Sequence, residues 1–324
     1  MINIIIPCYN CRETLPNTLH SLVAQTQKRF MVTLVQDGNE PFNDISDIEE
    51  DYSDLLNIKY IINNNNVGPG LARQRGIESN NLCEYITFLD SDDMMLPYAI
   101  EIMNRETQIH KPDVLITDFV HHSKYEGLTD ITGRDANTWL HGKVYRAEYL
   151  ANKYIHFPIE IKYNEDAYFN TLALNLTKNI YTVKKPTVLW IDNSNSITRS
   201  DKNFSINCIP EFIEGQALVS SELVMRGRHK QDTSLFAKII NNIYKYYQKG
   251  LYYKVTECYK EELALKNFFL MPEVISMLEN KEFQSKLIIF NRQVNKDKSY
   301  PDSQTLENFI QKYYNDFYFK GANE

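Results

Sequence analysis

The sequence is poor in the features that mark several large protein classes. Its five cysteines (Cys8, Cys11, Cys83, Cys208 and Cys258) are few for 324 residues and odd in number. That excludes a disulfide-built framework and reads as a chain for a reducing, cytoplasmic setting. No run of 18 consecutive apolar residues occurs, so no segment reads as a membrane-spanning helix. The opening apolar run Ile4-Ile5-Ile6 stops at Pro7 and no basic stretch precedes it. It therefore reads as structure and not as a secretory signal. Basic residues are in deficit too: 35 Lys and Arg against 42 Asp and Glu leave a net charge of −7. This argues against a chain that grips a nucleic-acid backbone. The deficit is local. Residues 205–324 carry 16 basic and 15 acidic residues, whereas residues 1–204 carry 19 and 27. Acidic chemistry is therefore expected in the first two-thirds.

With 43% hydrophobic and 24% charged residues, the chain has the composition of a globular protein able to bury a core. The first 120 residues alternate short apolar runs with amphipathic stretches. Strands are expected at Ile2–Ile6, Met31–Val35, Ile58–Ile62, Tyr85–Leu89 and Val114–Phe119. Helices are expected around Leu15–Val23, Gly70–Ser79 and Ile100–Ile109, from their spacing of apolar residues and the Gly68-Pro69-Gly70 start signal. Such alternation predicts an α/β fold with a mostly parallel sheet, flanked by helices and with ligands at the C-terminal strand ends. Residues 137–200 are mixed, with a strand-like run at Thr187–Ile191. Beyond about 205 the spacing turns helical, as in Phe236, Ile239, Ile240, Ile243, Tyr244 and Tyr247. Two domains are expected, 1–204 and a helical 205–324.

Polar clusters follow three expected strands directly, at Pro7–Asn10, at Asp37 and at Asp90–Asp93, and the motifs that could carry chemistry each have two readings. Asp90-Ser91-Asp92-Asp93 places three carboxylates within four residues. A divalent cation such as Mg²⁺ or Mn²⁺ would neutralise them, and a helix N-terminus would also tolerate them. Asp37 before Gly38 either accepts a hydrogen bond from a ligand or makes a turn. The stretch from Asn66 to Gly76 holds Gly68, Gly70, Arg73 and Arg75. It fits an anion at a helix N-terminus or a plain turn and surface helix, and it lacks the P-loop pattern. Glu165-Asp166, beside Tyr168-Phe169, offers a general base or ordinary helix-start acids. Cys8-x-x-Cys11 has no second cysteine pair, so a zinc site is not expected. His121-His122 reads as a surface loop.

Taken in order, these segments resemble the inverting glycosyltransferases of family two, which have the Rossmann-like GT-A fold. The resemblance runs through Ile4-Ile5-Ile6-Pro7-Cys8-Tyr9-Asn10, Val35-Gln36-Asp37-Gly38-Asn39, Asn66-Val67-Gly68 to Gly76, Phe88-Leu89-Asp90-Ser91-Asp92-Asp93, Gly142-Lys143-Val144-Tyr145-Arg146 and Phe157-Pro158 to Asp166. It covers about residues 1–200. Gln36 and Asn39 depart from the family's Asp-Asp-Gly-Ser. The resemblance implies a nucleoside-diphosphate sugar donor, UDP-sugar first, and a hydroxyl acceptor such as a glycan or cell-surface polymer. Pro7, Tyr9 and Asp37 would line the nucleobase pocket, with Gly68, Arg73, Asp90 and Arg199 also on the donor. Asp92, with Asp90, would hold Mn²⁺ or Mg²⁺, which stabilises the leaving diphosphate. Asp166 would be the catalytic base and Glu165 would orient donor or acceptor. The rival readings are a nucleotidylyltransferase-like enzyme and an inactive sugar-nucleotide-binding protein. The many aromatics of 205–324 either pack helices or offer an acceptor or self-association surface.

Overall fold

The structure, a computed structural model, describes residues 1–80, 82–123, 127–131, 139–159, 161–192, 203–255, 259–294, 305–317 and 319. Arg199 lies outside the described residues, as do Tyr318 and Cys258. The chain forms two compact units, Met1–Ser194 and Asn195–Glu324. The sequence reading placed the change at 204/205.

The first unit is built on β1 (Ile2–Cys8), α1 (Leu15–Val23), β2 (Phe30–Asp37), α2 (Ser46–Ser53), β3 (Ile58–Asn63), α3 (Pro69–Glu78) and β4 (Tyr85–Phe88). It continues through β5 (Met94–Met95), α4 (Ala99–His110), β6 (Val114–Ser123), β7 (Gly127–Ile131), β8 (Lys143–Arg146), α5 (Ala147–Asn152), α6 (Glu165–Asn175) and β9 (Ile180–Ile191). The strands form one sheet in the order β3-β2-β1-β4-β8-β6-β9-β5, with β7 on β6. β1 and β2 are near-continuous apolar runs because helices cover both faces of the sheet there. Ile4, Ile6, Val32, Leu34, Leu15 and Leu19 join one core cluster.

The sheet is mixed. β1 runs parallel to β2 and β4, β2 to β3, and β6 to β9. β8 is antiparallel to both β4 and β6, and β5 and β7 are antiparallel additions. The five strands expected from sequence in the first 120 residues are present. The antiparallel β5, β7 and β8 carried no strand signal in the sequence, which is why a mostly parallel sheet was expected. His121 and His122 lie on β6 and not in a loop.

This topology determines what meets what. The C-terminal ends of parallel β1, β2 and β4 share one edge. Because β8 runs the other way, the residues just before it reach that same edge.

The second unit is helical: α7 (Phe204–Asn207), α8 (Ile209–Met225), α9 (Thr233–Tyr253), α10 (Tyr259–Phe269), α11 (Pro272–Glu279), α12 (Lys281–Val294) and α13 (Leu306–Gln311). Asp232 caps α9 by accepting from the Leu235 N–H at 3.1 Å. Its core mixes aliphatic residues such as Ile213, Leu223, Ile240 and Leu287 with buried aromatics, Tyr244, Tyr247, Phe268, Phe269, Phe309, Tyr313 and Phe317. Phe269 stacks on Tyr313 with centroids 5.5 Å apart. Tyr252 and Tyr253 stay exposed. Among the described residues, no helix is long and apolar enough to cross a membrane.

Candidate active site

Arg73 is the junction of the site. It sits in the second turn of α3, and its side chain is only 7% exposed. Nη2 donates to Asp90 Oδ1 at 2.6 Å and Nη1 to Glu165 Oε1 at 2.9 Å. One guanidinium therefore joins the acidic turn after β4 to the acidic start of α6. Burial disfavours the Arg73 charge, but Asp90 and Glu165 outweigh it and its pKa rises. The Nε atom is buried and has no hydrogen-bond partner among the described residues. Close approach of α3 to α6 requires Gly70, since a Cβ there would come 2.6 Å from Glu165 Cγ. Gly68, at φ +87°, turns the chain into α3, where Pro69 occupies the first turn.

The paired acids of α6 are both shifted. Burial and the neighbouring Asp166 charge push Glu165 up to about 7 against the pull of Arg73. Burial also raises Asp166, with Arg73 again opposing, and its Oδ1 accepts from the Ala167 N–H at 2.7 Å. Beneath them lies Lys143, buried in β8 and pushed down to about 8 by desolvation, with Asp166 opposing. Its Nζ and Asn170 Nδ2 both donate to the Trp139 carbonyl.

The turn after β4 is closed by the Asp93 N–H on the Asp90 carbonyl, 3.1 Å. Residues 90 and 93 thus share a side. Their carboxylates and the ring of His141 have ligand atoms within 4.8 Å of one another. Asp93 is 1% exposed. Its Oδ2 lies 3.0 Å from His141 Nε2, and its Oδ1 accepts from the Ile191 N–H at 2.9 Å. Burial raises Asp93 to about 6, with His141 opposing. Desolvation would lower His141, but Asp93 and Asp90 outweigh it and its pKa rises. Asp92, expected as the principal cation ligand, is not in this trio. It is half-buried and its charge is felt by Cys11. Asp93 and His141 were not singled out from sequence. Asp93 read as one of three acids, and a single histidine 48 positions away carries no signal until β8 is known to run antiparallel to β4.

Asp37 is 2% exposed and engaged by the protein. Oδ1 accepts from Asn63 Nδ2 and the Val67 N–H, both at 3.0 Å, and Oδ2 accepts from the Gly68 N–H at 2.8 Å. In this structure it fixes the loop that enters α3. Gln36 is buried beside it. Its Nε2 donates to the Gly38 carbonyl, and its Oε1 accepts from the Ile45 N–H and the Tyr60 hydroxyl. A carboxylate could not donate that first bond, which accounts for an amide here. Pro7 is half-buried at the end of β1. Tyr9 is 43% exposed and meets Phe42, 53% exposed, edge to face at 6.1 Å. Phe42 was not anticipated, since one aromatic in a polar loop has no pattern. Cys8 and Cys11 are buried free thiols.

The family model for glycosyl transferase family 2 matches residues 3–164. The chain belongs to glycosyl transferase family 2. Among curated relatives it is 24% identical over 300 residues to "Glycosyltransferase GlyG" of Streptococcus pneumoniae, covering 83% of this chain and 96% of that protein. It is 27% identical over 128 residues to "Glycosyltransferase GlyA" of the same species, which covers 39% of this chain and only 18% of GlyA. Among solved structures, Staphylococcus aureus TarS 1-349 in complex with UDP-GlcNAc shares the fold, with a TM-score of 0.65 and 21% identity over 92% of this chain and 91% of that one.

Proposed function

We propose that this family-two member transfers a sugar from a nucleoside-diphosphate donor, a UDP-sugar first, to an acceptor hydroxyl with inversion at the anomeric carbon. The observation that carries the reading is Arg73, whose two arms hold Asp90 and Glu165 in one site. The UDP-GlcNAc bound to TarS, a protein of the same fold, supports the choice of donor class.

The site fits a divalent cation. Asp90, Asp93 and His141 offer oxygen and nitrogen donors within 4.8 Å, and His141 Nδ1 is buried with no hydrogen-bond partner among the described residues. Bound there, Mn²⁺ or Mg²⁺ would stabilise the negative charge of the departing diphosphate. The chain's own groups do the rest. Exposed Tyr9 offers a face for the nucleobase. Asp37 holds the loop that presents the N-terminus of α3, where Gly68 and the following backbone favour anions. The acceptor oxygen attacks the anomeric carbon opposite the diphosphate. Asp166 takes its proton as the carbon–diphosphate bond breaks. A raised Asp166 pKa makes it a stronger base than an exposed aspartate. Glu165 keeps Arg73 and, through it, Asp90 in place.

The test is product analysis with a panel of UDP-sugars and hydroxyl acceptors. UDP should be released and the new linkage inverted. Release of pyrophosphate would assign nucleotidylyl transfer instead. Asp166→Asn should keep donor binding and lose about 10²–10⁴-fold in kcat. An Asp166→Asn enzyme with full kcat would remove it from the role of base.

A further inference from the structure

We propose that Cys8 and Cys11 are an oxidation site, a dithiol whose disulfide form resets the turn carrying Tyr9 and weakens nucleotide binding. The effect on the nucleotide rests on the reading above; the disulfide itself does not.

The proposed reaction makes no use of this pair. Cys8 ends β1, and Cys11 follows three positions later, across a turn through Asn10 at φ +50°. Both are buried free thiols. The two thiols are in hydrogen-bond contact with each other, and Cys11 also meets the Ser91 hydroxyl in the acidic turn after β4. The Ile6 carbonyl, 3.4 Å from Cys8 Sγ, is a further acceptor for the Cys8 thiol. A disulfide thus asks two sulfurs already in contact to close to a bond. The thiols are unequal. Hydrogen bonding with Cys8 pulls Cys11 down against burial, aided by Ser91, whereas burial pushes Cys8 up. Cys11 also keeps a small opening, 4% exposed against 0% for Cys8, and its chain neighbours Asn10 and Arg12 are exposed. Only the first sulfur to react has to meet the oxidant. The second can attack from beneath.

With hydrogen peroxide as oxidant the steps balance. The Cys11 thiolate attacks one peroxide oxygen and the O–O bond breaks. The departing hydroxide takes up the thiol proton as water, leaving a sulfenic acid. The Cys8 sulfur then attacks the Cys11 sulfur and expels the hydroxyl, which leaves as water with the Cys8 proton. The two thiols lose two electrons and the peroxide gains them.

The turn between the sulfurs is pinned at both sides. The Cys11 carbonyl accepts from the Thr14 and Leu15 N–H groups at 3.0 and 2.8 Å, at the entry to α1. The Asn10 N–H donates to Asn43 Oδ1 at 2.7 Å, and Asn43 Nδ2 donates to the Asp37 and Gly38 carbonyls, both at 3.1 Å. Shortening the sulfur–sulfur distance therefore strains the turn at Tyr9 and Asn10. Tyr9, set edge to face on Phe42, is the face offered to the nucleobase.

The experiment treats the full reduced chain with hydrogen peroxide, unfolds it and alkylates it with N-ethylmaleimide. Peptide mapping by mass spectrometry should find Cys8 and Cys11 unalkylated and joined, before Cys83 and Cys208 react, and dithiothreitol should restore both thiols. Calorimetric titration with UDP and Mn²⁺ should show affinity lower by about tenfold after oxidation, the scale of losing one base–aromatic stack, and recovery on reduction. Cys11→Ser should keep its UDP affinity through the same treatment. Cys8 and Cys11 both alkylated, or Cys11 carried to sulfinic acid without a partner, overturns the dithiol. A mapped disulfide with unchanged UDP affinity overturns the effect on binding, and so does an equal loss in Cys11→Ser. Where that variant does not fold, recovery of the wild type with dithiothreitol decides. A reduced chain that binds no UDP removes the donor reading and the effect on binding with it, while the mapping still decides the disulfide.

Discussion

A buried cation between two carboxylates is a demanding arrangement, and Arg73 shows why it is kept. Its planar guanidinium reaches Asp90 at 2.6 Å and Glu165 at 2.9 Å at once. A lysine ammonium is a single point and lacks that fork. Removing the cation leaves Glu165 buried without its partner, which typically costs about 3–5 kcal/mol. Arg73→Met should therefore lose stability on that scale in urea titration and lose transfer. Arg73→Lys should recover part of the stability and little of the activity. A fully active Arg73→Lys enzyme would show that the two-armed contact is dispensable. Glu165 yields a pH prediction. Burial pushes it up to about 7 in the fold from the ordinary glutamate value of 4.5, so the native state binds more protons between those values than the unfolded chain does. Stability should fall as pH rises from about 4.5 to about 7. Glu165→Gln should flatten that slope in a series of thermal melts. An unchanged slope would mean that Glu165 ionises freely in the fold. Residues of this kind were legible in sequence because their neighbours travel with them: Asp90 beside Ser91-Asp92-Asp93, and Glu165 beside Asp166. Asp93 with His141 and Tyr9 with Phe42 were not, since each pair forms only when distant loops reach one sheet edge.

The same limit operates on elements. β1 and β2 were readable because both faces of the sheet are covered there, and burial on two sides writes an unbroken apolar run. β8 has only four residues and one of them is a buried lysine, so hydropathy gives no sign of it. Yet β8 brings Gly142 and His141 to the working edge by running against β4. α3 is the opposite case. Its start was marked by Gly68-Pro69-Gly70, but the reason for the second glycine lies on another helix. A methyl group at position 70 would stand 2.6 Å from Glu165 Cγ and 3.2 Å from its Cβ. Neither α3 nor α6 can move freely, since Arg73 ties them together. Gly70→Ala should thus keep the circular dichroism of the wild type while transfer falls by at least about tenfold, the expected scale when a misplaced group costs 1.4 kcal/mol at the transition state. Wild-type turnover in Gly70→Ala would show that the spacing of these helices is not critical.

At the scale of the whole molecule, two cores share one chain. The first unit packs around Ile4, Ile6, Leu15 and Val32. The second contains an aromatic cluster in which Phe309 meets Tyr244 at 5.5 Å, Tyr247 at 4.9 Å, Phe269 at 5.8 Å and Tyr313 at 5.6 Å. A unit with its own core can lose stability by itself. Phe309→Ala removes the ring common to those four contacts and should cost about 3–5 kcal/mol, all of it in residues 195–324. The proposed donor site, with Arg73 and Asp90, lies in the other unit. UDP with Mn²⁺ at 100 times its dissociation constant should stabilise the first unit by about 2.7 kcal/mol. Calorimetry of the wild type and of Phe309→Ala, each with and without UDP and Mn²⁺, tests both statements together. The expected pattern is two transitions, one moved down by the substitution and the other moved up by the ligand. A single transition that responds to both would mean that the cores melt as one.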